Sequence, residues 1–227
     1  MNVEQPTPVP SDETQLLAAL AKAGFPVPSV AAFRDQYDPL PSGLATLLLE
    51  WIPRLEDRRL QESVAWALLA ARPGTLDGAA LAELFDAVAD AASVRQQETG
   101  CADAGSAGHD DDLKRAIASV INQTRPRNID EWLIAAIRDR RSRASRNLLA
   151  AAVAKMLPPE RAVPVLIEVF HDAPLAAVHP LGKVGNSDVR DVLAAALPTA
   201  TGPLRRELRQ AIARIERRLA KARRRGD

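Results

Sequence analysis

The chain has 227 residues, of which 42 are alanine, 47% are hydrophobic and 4% are aromatic, and its formal net charge is +1. This hydrophobic content is enough for a folded core. The apolar runs fall short of the roughly 18 residues that a membrane span needs, and the single cysteine excludes an intramolecular disulfide framework. We therefore expect a helical cytoplasmic protein with no membrane partner.

The first part of the chain predicts a leader followed by a helical cap. Residues 1–11 are rich in proline, which cannot hold a helix, and are expected to be a disordered leader. Ser11 and the acidic residues after it are typical of a helix N-terminus, and Gly24 is typical of a helix end. With a short helix expected within 29–36, we interpret residues 12–41 as an N-terminal helical cap.

From residue 42 to residue 222, an apolar run, a tight turn and a second alanine-rich apolar run recur. Such a recurring unit predicts an all-α fold of about four to five stacked antiparallel helix pairs. A polar, glycine-rich segment at 95–109 is interpreted as a flexible insert in the second unit, and residues 223–227 as a basic tail. The predicted pairs are 42–53 with 57–71, 76–92 with 110–123, 129–140 with 143–156, 159–171 with 174–184, and 187–197 with 203–222.

Two of these units share a pattern with a known family. One reads VPVLIEVFHDAPLAAVHPLGKVGNSDVRDVLAAAL, with Asp172 at its turn, and the other reads LIAAIRDRRSRASRNLLAAAVAKM, with Asp139 at the turn and Arg146 in the second helix. Both resemble the short bacterial HEAT repeat. The resemblance implies a HEAT-like α-solenoid in which turn aspartates and second-helix arginines form a ladder between neighbouring repeats. The pattern is incomplete, because no arginine follows Asp172 at the corresponding place.

The HEAT-like fold carries scaffolds, lyases and DNA-repair enzymes alike, so the resemblance does not assign a function. The sequence contains no nucleophile elbow, phosphate loop, HExxH or CxxC motif. We therefore predict no catalytic residue and no cofactor. The favoured function is a non-catalytic scaffold or adaptor that binds another protein in a bacterial cytoplasm.

Charge is distributed unevenly along the chain. Residues 1–112 carry 7 basic against 18 acidic residues, a net charge of −11, whereas residues 113–227 carry 23 against 11, a net charge of +12. The basic clusters of the second half predict a solvated basic surface that caps the stack and solubilises the chain or, alternatively, contacts an acidic protein or nucleic acid, although the region lacks the interleaved aromatic residues that stack on bases. The residues expected to form this surface are Arg140, Arg141, Arg143, Arg146, Arg217, Arg218 and Arg224.

A third alternative is an enzyme of a HEAT-built class, either a DNA glycosylase or a bilin-type lyase. HEAT-like alkylpurine DNA glycosylases hold a damaged nucleotide with tryptophans and an acidic residue on the concave face. The resemblance to them implies a candidate pocket at Asp130, Glu131 and Trp132.

Metal and thiol chemistry are not predicted. His171 and His179 lie on either side of Asp172, but zinc sites usually show closer paired spacing or cysteines. We interpret them as turn and surface histidines. Cys101, among acidic residues in the insert, is interpreted as an inert exposed cysteine.

Overall fold

The computed structural model describes residues 11–99 and 104–226, leaving aside the side chains at 34, 89–99, 104–109, 140, 141 and 226. The described residues form α-helices joined by turns and short 3₁₀ segments, with one isolated bridge between Leu40 and Ala71 and no strand. The all-α prediction is therefore confirmed. No helix in this part of the chain has the length and apolar character that crossing a bilayer requires.

The first helix of the described residues is α1 (Asp12–Lys22). The Ser11 hydroxyl accepts a hydrogen bond from the Thr14 backbone N–H at 3.3 Å, as an N-cap does. Gly24, with φ of +88°, ends the helix in the left-handed conformation that glycine adopts without strain. A 3₁₀ turn then leads into the short α2 (Phe33–Gln36). The rest of the predicted leader, residues 1–10, lies outside the described residues.

Five helix pairs follow, at the positions that the apolar periodicity predicts. Proline and glycine residues separate them, because neither continues a helix readily. The two helices of each pair pack on each other. The pairs are α3 (Ser42–Trp51) with α4 (Arg58–Ala67), α5 (Gly78–Thr99) with α6 (Ala104–Thr124), α7 (Asp130–Arg138) with α8 (Arg146–Met156), α9 (Pro159–Asp172) with α10 (Pro174–Val184), and α11 (Ser187–Ala196) with α12 (Gly202–Gly226).

The second helices of successive pairs pack on one another in a row. Helix α4 contacts α6, α6 contacts α8, α8 contacts α10, and α10 contacts α12. Buried apolar side chains form a cluster that runs from Leu16 in α1 to Ile215 in α12. Each pair thus buries its apolar face on its neighbours, and the other side of the second helices is left to face solvent.

The insert expected at 95–109 is shorter than the sequence analysis predicts. Helix α5 continues to Thr99 and α6 already begins at Ala104, while residues 100–103, including Cys101, lie outside the described residues. The extension of α5 is rich in Arg, Gln and Glu, which have a high intrinsic helix propensity. Missing apolar periodicity therefore did not exclude a helix in this segment.

A close approach of two helices fixes α12 on α10. A Cβ atom placed on Gly182 of α10 would lie 2.9 Å from both Cα and Cβ of Ala211 in α12, closer than real Cβ contacts. The contact therefore requires glycine at this position. Beyond it, α12 runs on to Gly226, so most of the basic tail predicted at 223–227 is helical, and residues 220–225 are exposed.

Candidate binding surface

Arg138 and Arg146, on either side of the connection between α7 and α8, join the third helix pair to the fourth. Arg138 of α7 forms a two-pronged ion pair with Glu168 of α9, at 2.7 and 3.0 Å, and the hydrogen bond lowers the pKa of the Glu168 carboxyl. Arg146, at the start of α8, lies 2.5 Å from the Asp172 carboxylate, and its Nη2 donates to the Asp139 carbonyl at 3.4 Å. The Arg146 side chain is only 7% exposed. Its assignment to an exposed basic surface is therefore wrong, because the guanidinium is buried between two turns.

The other members of that cluster lie on the connection between α7 and α8. Residues Arg140–Ser145 form a 3₁₀ segment, in which Arg143 is exposed. Arg143 makes no ion pair with a described carboxylate. The side chains of Arg140 and Arg141 lie outside the description.

The arginines predicted on α12 have separate environments. Arg218 donates hydrogen bonds to the carbonyls of Gly182, Lys183 and Gly185, which close the C-terminal end of α10. Burial there, and then the nearby charge of Arg214, lower the pKa of Arg218. Arg217 is exposed, and its Nε donates to the Ala213 carbonyl of its own helix at 3.2 Å.

The two predicted arginine clusters do not meet in space. Leu204, near the start of α12, shares a cleft with Arg143. Arg224 stands 20 residues further along the helix, which is about 30 Å. Arg143 and Arg224 therefore lie near opposite ends of α12 and do not belong to one patch.

The candidate pocket of Asp130, Glu131 and Trp132 is occupied by contacts between helix pairs. Arg161 of α9 lies 3.4 Å from the Asp130 carboxylate and 2.6 Å from that of Glu131. The Trp132 ring packs edge-on against Phe85 of α5, with centroids 5.5 Å apart, and its indole N–H donates to Asp86 at 2.9 Å. These contacts link α7 to the pairs on both sides and assign the three residues a structural role.

The histidines do not gather with other metal-binding groups. Across the described residues, no group of three or more His, Cys, Asp or Glu side chains is arranged to hold a metal ion. The Asp172 carboxylate pairs with Arg146. His179 lies on α10, with its Nδ1 3.3 Å from a guanidinium nitrogen of Arg214. The side chain of His109 lies outside the description.

The structure assembles a basic surface that the sequence analysis did not identify. Its cations stand on or just after the second helices of the last four pairs, one or two from each of these helices. None of them forms an ion pair with a described carboxylate. We call this set the basic band: Arg125 after α6, Lys155 on α8, Lys183 on α10, and Arg214 and Arg218 on α12.

The cations of the basic band are close enough to affect one another. Burial, and then the charges of Arg125 and Lys183, lower the pKa of Lys155. Lys155 also donates to the Asn122 carbonyl at 3.3 Å, which brings the ends of α6 and α8 together. Lys155 and Lys183 are isolated cations in the sequence, and the only signal for them is their shared position in the last turn of successive second helices.

A cleft lined by apolar and charged groups lies at the other end of the same helices. It has a volume of about 710 Å³, and Leu175 on its wall is 57% exposed, the one large hydrophobic side chain in the described residues with such exposure. We call it the leucine cleft. Its lining comes from the N-terminal ends of α8, α10 and α12, with one residue of α6: Arg115, Arg143, Ala144, Arg146, Asn147, Asp172, Ala173, Pro174, Leu175, Ala176 and Leu204.

The leucine cleft and the basic band belong to one face. Leu175, His179 and Lys183 follow each other at four-residue intervals on α10 and are all exposed, so they form a stripe along one side of that helix. The stripe covers about 12 Å between Leu175 and Lys183. The face thus combines the exposed Leu175 and its apolar neighbours in the cleft at one end with an excess of positive charge at the other.

The chain was compared with protein-family models, with curated proteins and with solved structures, and nothing in the three comparisons matches it.

Proposed function

We propose that this protein is a non-catalytic scaffold of the HEAT-like α-solenoid type, which binds an acidic segment of another protein. The binding face is formed by the solvent-facing sides of α6, α8, α10 and α12. The row of second helices supports the solenoid architecture. The link from Arg146 to Asp172 of the next pair, and to the Asp139 carbonyl of its own pair, supports the HEAT-like ladder.

The observation that carries this proposal is the uncompensated charge of the basic band. Like charges held together in a free protein raise its energy, and an anionic partner removes that cost. Some described arginines outside the band form ion pairs with carboxylates, as in the pairs of Arg138 with Glu168 and Arg161 with Glu131. Others, such as Arg205, Arg209 and Arg217 on α12, are exposed and make no ion pair with a described carboxylate. The band differs from these because its cations come from four successive second helices and lie close enough to lower the pKa of one another.

A nucleic acid is the second candidate, because the same band and the exposed arginines of α12 complement phosphate. Proteins that hold single strands also offer aromatic side chains on which bases stack. On the C-terminal side of Trp132, the sequence has a single Phe, Tyr or Trp residue, Phe170, and this residue is buried. The exposed Leu175 and the small apolar groups beside it in the neighbouring cleft further favour a protein, since they complement an apolar side chain.

Affinity capture from extract of the source cells, carried out with and without nuclease treatment, tests the proposal. The variant K155E/K183E reverses two charges of the basic band. The control R205E/R209E reverses two exposed charges on α12, each nine residues before Arg214 or Arg218, which is about two and a half turns and so the opposite side of the helix.

We expect a bound protein that is retained by the wild type and by R205E/R209E, lost with K155E/K183E, and released as salt rises. Binding that disappears with nuclease treatment supports the nucleic-acid alternative. A partner that K155E/K183E retains in full contradicts the assignment of the face.

A further inference from the structure

The geometry of the leucine cleft points to a more specific ligand. We propose that the acidic segment carries a large apolar side chain, which inserts into the leucine cleft against Leu175, while its flanking carboxylates contact Arg143 and the basic band. This inference rests on the proposed function, because it describes the ligand of the same face.

The apolar part of the argument comes from Leu175. A leucine that is 57% exposed keeps most of its apolar area in water, and covering that area is favourable. The apolar part of the cleft wall consists of Ala144, Ala173, Pro174 and Ala176, with the half-buried Leu204, while the rest of the lining is polar or charged. Together with Leu175, these apolar groups offer a contact surface to an aliphatic or aromatic group of the ligand.

The charged part of the argument comes from the rim. Arg143 is exposed and makes no ion pair with a described carboxylate. Arg115 is paired with Asp112 at 2.6 Å but keeps 48% of its side chain exposed, so a second carboxylate can reach it. Arg146 and Asp172 pair with each other in the cleft lining. The rim therefore adds positive charge beside an apolar pocket, and this favours a carboxylate next to the anchoring side chain.

The distance between Leu175 and Lys183 predicts how many residues separate the apolar anchor of the ligand from its carboxylates. Leu175 and Lys183 are about 12 Å apart along α10. An extended segment covers that distance in roughly three to four residues. The expected ligand is thus a short acidic segment in which further carboxylates lie three or four residues from the apolar anchor.

Fluorescence anisotropy with two labelled peptides tests this inference. Both are short and rich in glutamate, and they differ only at one central residue, which is leucine in the first and alanine in the second. A labelled single-stranded oligonucleotide of the same charge is the third probe. The proteins are the wild type, Leu175→Ser, Leu175→Met and K155E/K183E, each first checked for helicity. Because the Leu175 side chain is exposed, its replacement leaves the core intact.

We expect the wild type to bind the leucine peptide about fivefold to tenfold more tightly than the alanine peptide. Leu175→Ser should abolish that difference by weakening the binding of the leucine peptide, whereas Leu175→Met should keep the preference. K155E/K183E should weaken both peptides.

The experiment distinguishes failure of the apolar anchor from failure of the proposed function. Equal affinity of the wild type for both peptides overturns the anchor in the leucine cleft and leaves the acidic-partner proposal standing. If neither peptide binds, the proposed function itself fails. An oligonucleotide that binds more tightly than either peptide overturns both in favour of nucleic acid.

Discussion

The guanidinium of Arg146 and the carboxylate of Asp172 connect the third helix pair to the fourth, with Nη1 and Oδ2 2.5 Å apart. The same guanidinium donates to the Asp139 carbonyl of its own pair. Because only 7% of the Arg146 side chain is exposed, its charge depends on these partners for stabilisation. This ion pair therefore couples the third and fourth helix pairs at the N-terminal end of α8.

Removing the carboxylate should destabilise the protein. We expect Asp172→Ala to lower the free energy of unfolding by about 1–3 kcal/mol, less than for a fully buried pair because 48% of the Asp172 side chain is exposed. Urea denaturation followed by circular dichroism measures this loss. The control is Asp191→Ala, which removes an exposed carboxylate paired with its neighbour Arg190 and should change stability by about 0.5 kcal/mol or less. Equal effects of the two substitutions contradict the coupling.

The contact of Gly182 with Ala211 predicts an effect opposite to helix propensity. Alanine is intrinsically favoured over glycine in a helix by about 1 kcal/mol. Gly182→Ala should nevertheless lower the melting temperature, because its Cβ would lie 2.9 Å from Ala211 and force α10 and α12 apart. In the control Gly43→Ala, the nearest atom is a Phe25 ring carbon at 3.5 Å, so the melting temperature should stay or rise. Adding Ala211→Gly to Gly182→Ala should restore part of the loss.

Arg218 and Arg217 are adjacent in sequence but have different roles in the structure. Arg218 closes the C-terminal end of α10 through three carbonyls, whereas Arg217 bonds only within α12. We expect Arg218→Ala to lower the free energy of unfolding by about 1–3 kcal/mol, because carbonyls at the helix end lose a charged donor. Arg217→Ala should remain within about 0.5 kcal/mol in the same denaturation experiment. Similar losses for both would show that the cap contributes nothing.

Much of the fold could be predicted from the sequence because its signals are local. Helices in this chain have apolar stripes and end at proline or glycine, so the five pairs are predicted within a few residues. The error lies between α5 and α6, where helix formation continues to Thr99 without an apolar stripe. Periodicity reports which face is buried, and a helical segment that buries no face has no such signal.

The candidate site could not be predicted in the same way, because it depends on which helices become neighbours. Arginine density along the chain selected Arg146, which is buried, and, of the basic band, only Arg218, which also caps α10. It missed Lys155 and Lys183, which lie 28 residues apart and meet only when α8 packs on α10. Sequence density records local charge, whereas a binding face sums charges from separate helices.

Burial predicts different effects of one substitution at two leucines. Leu166 in α9 is 0% exposed, as its position in an apolar run suggested, and Leu175 in α10 is 57% exposed. Leu166→Asp should unfold the C-terminal pairs, because an unpaired carboxylate in the core costs several kcal/mol. Leu175→Asp should keep the wild-type melting temperature within a few degrees. Thermal denaturation followed by circular dichroism compares them, and a stable Leu166→Asp protein would disprove the packing of α9.

His179 predicts a dependence of stability on pH. Burial lowers its pKa, the charges of Lys183 and Arg214 lower it further, and Glu207 acts weakly in the opposite direction. The folded state therefore binds the His179 proton less readily than the unfolded state, whose pKa is about 6.5. As pH falls from about 6.5 through the lower folded pKa, protonation favours unfolding, and the stability that the neutral imidazole allows is lost.

Replacing the neighbouring cation should shift this titration. We expect Lys183→Gln to raise the pKa of His179 towards its ordinary value, because one of the two repelling charges is removed while the burial of the ring remains. Lys183→Arg keeps the charge and is the matched control, for which the pKa should stay low. NMR titration of the imidazole C2–H signal, assigned by its absence in His179→Gln, measures both values. If Lys183→Gln leaves the titration where it is in the wild type, Lys183 does not act on this part of the binding face, and the electrostatic coupling along α10 is disproved.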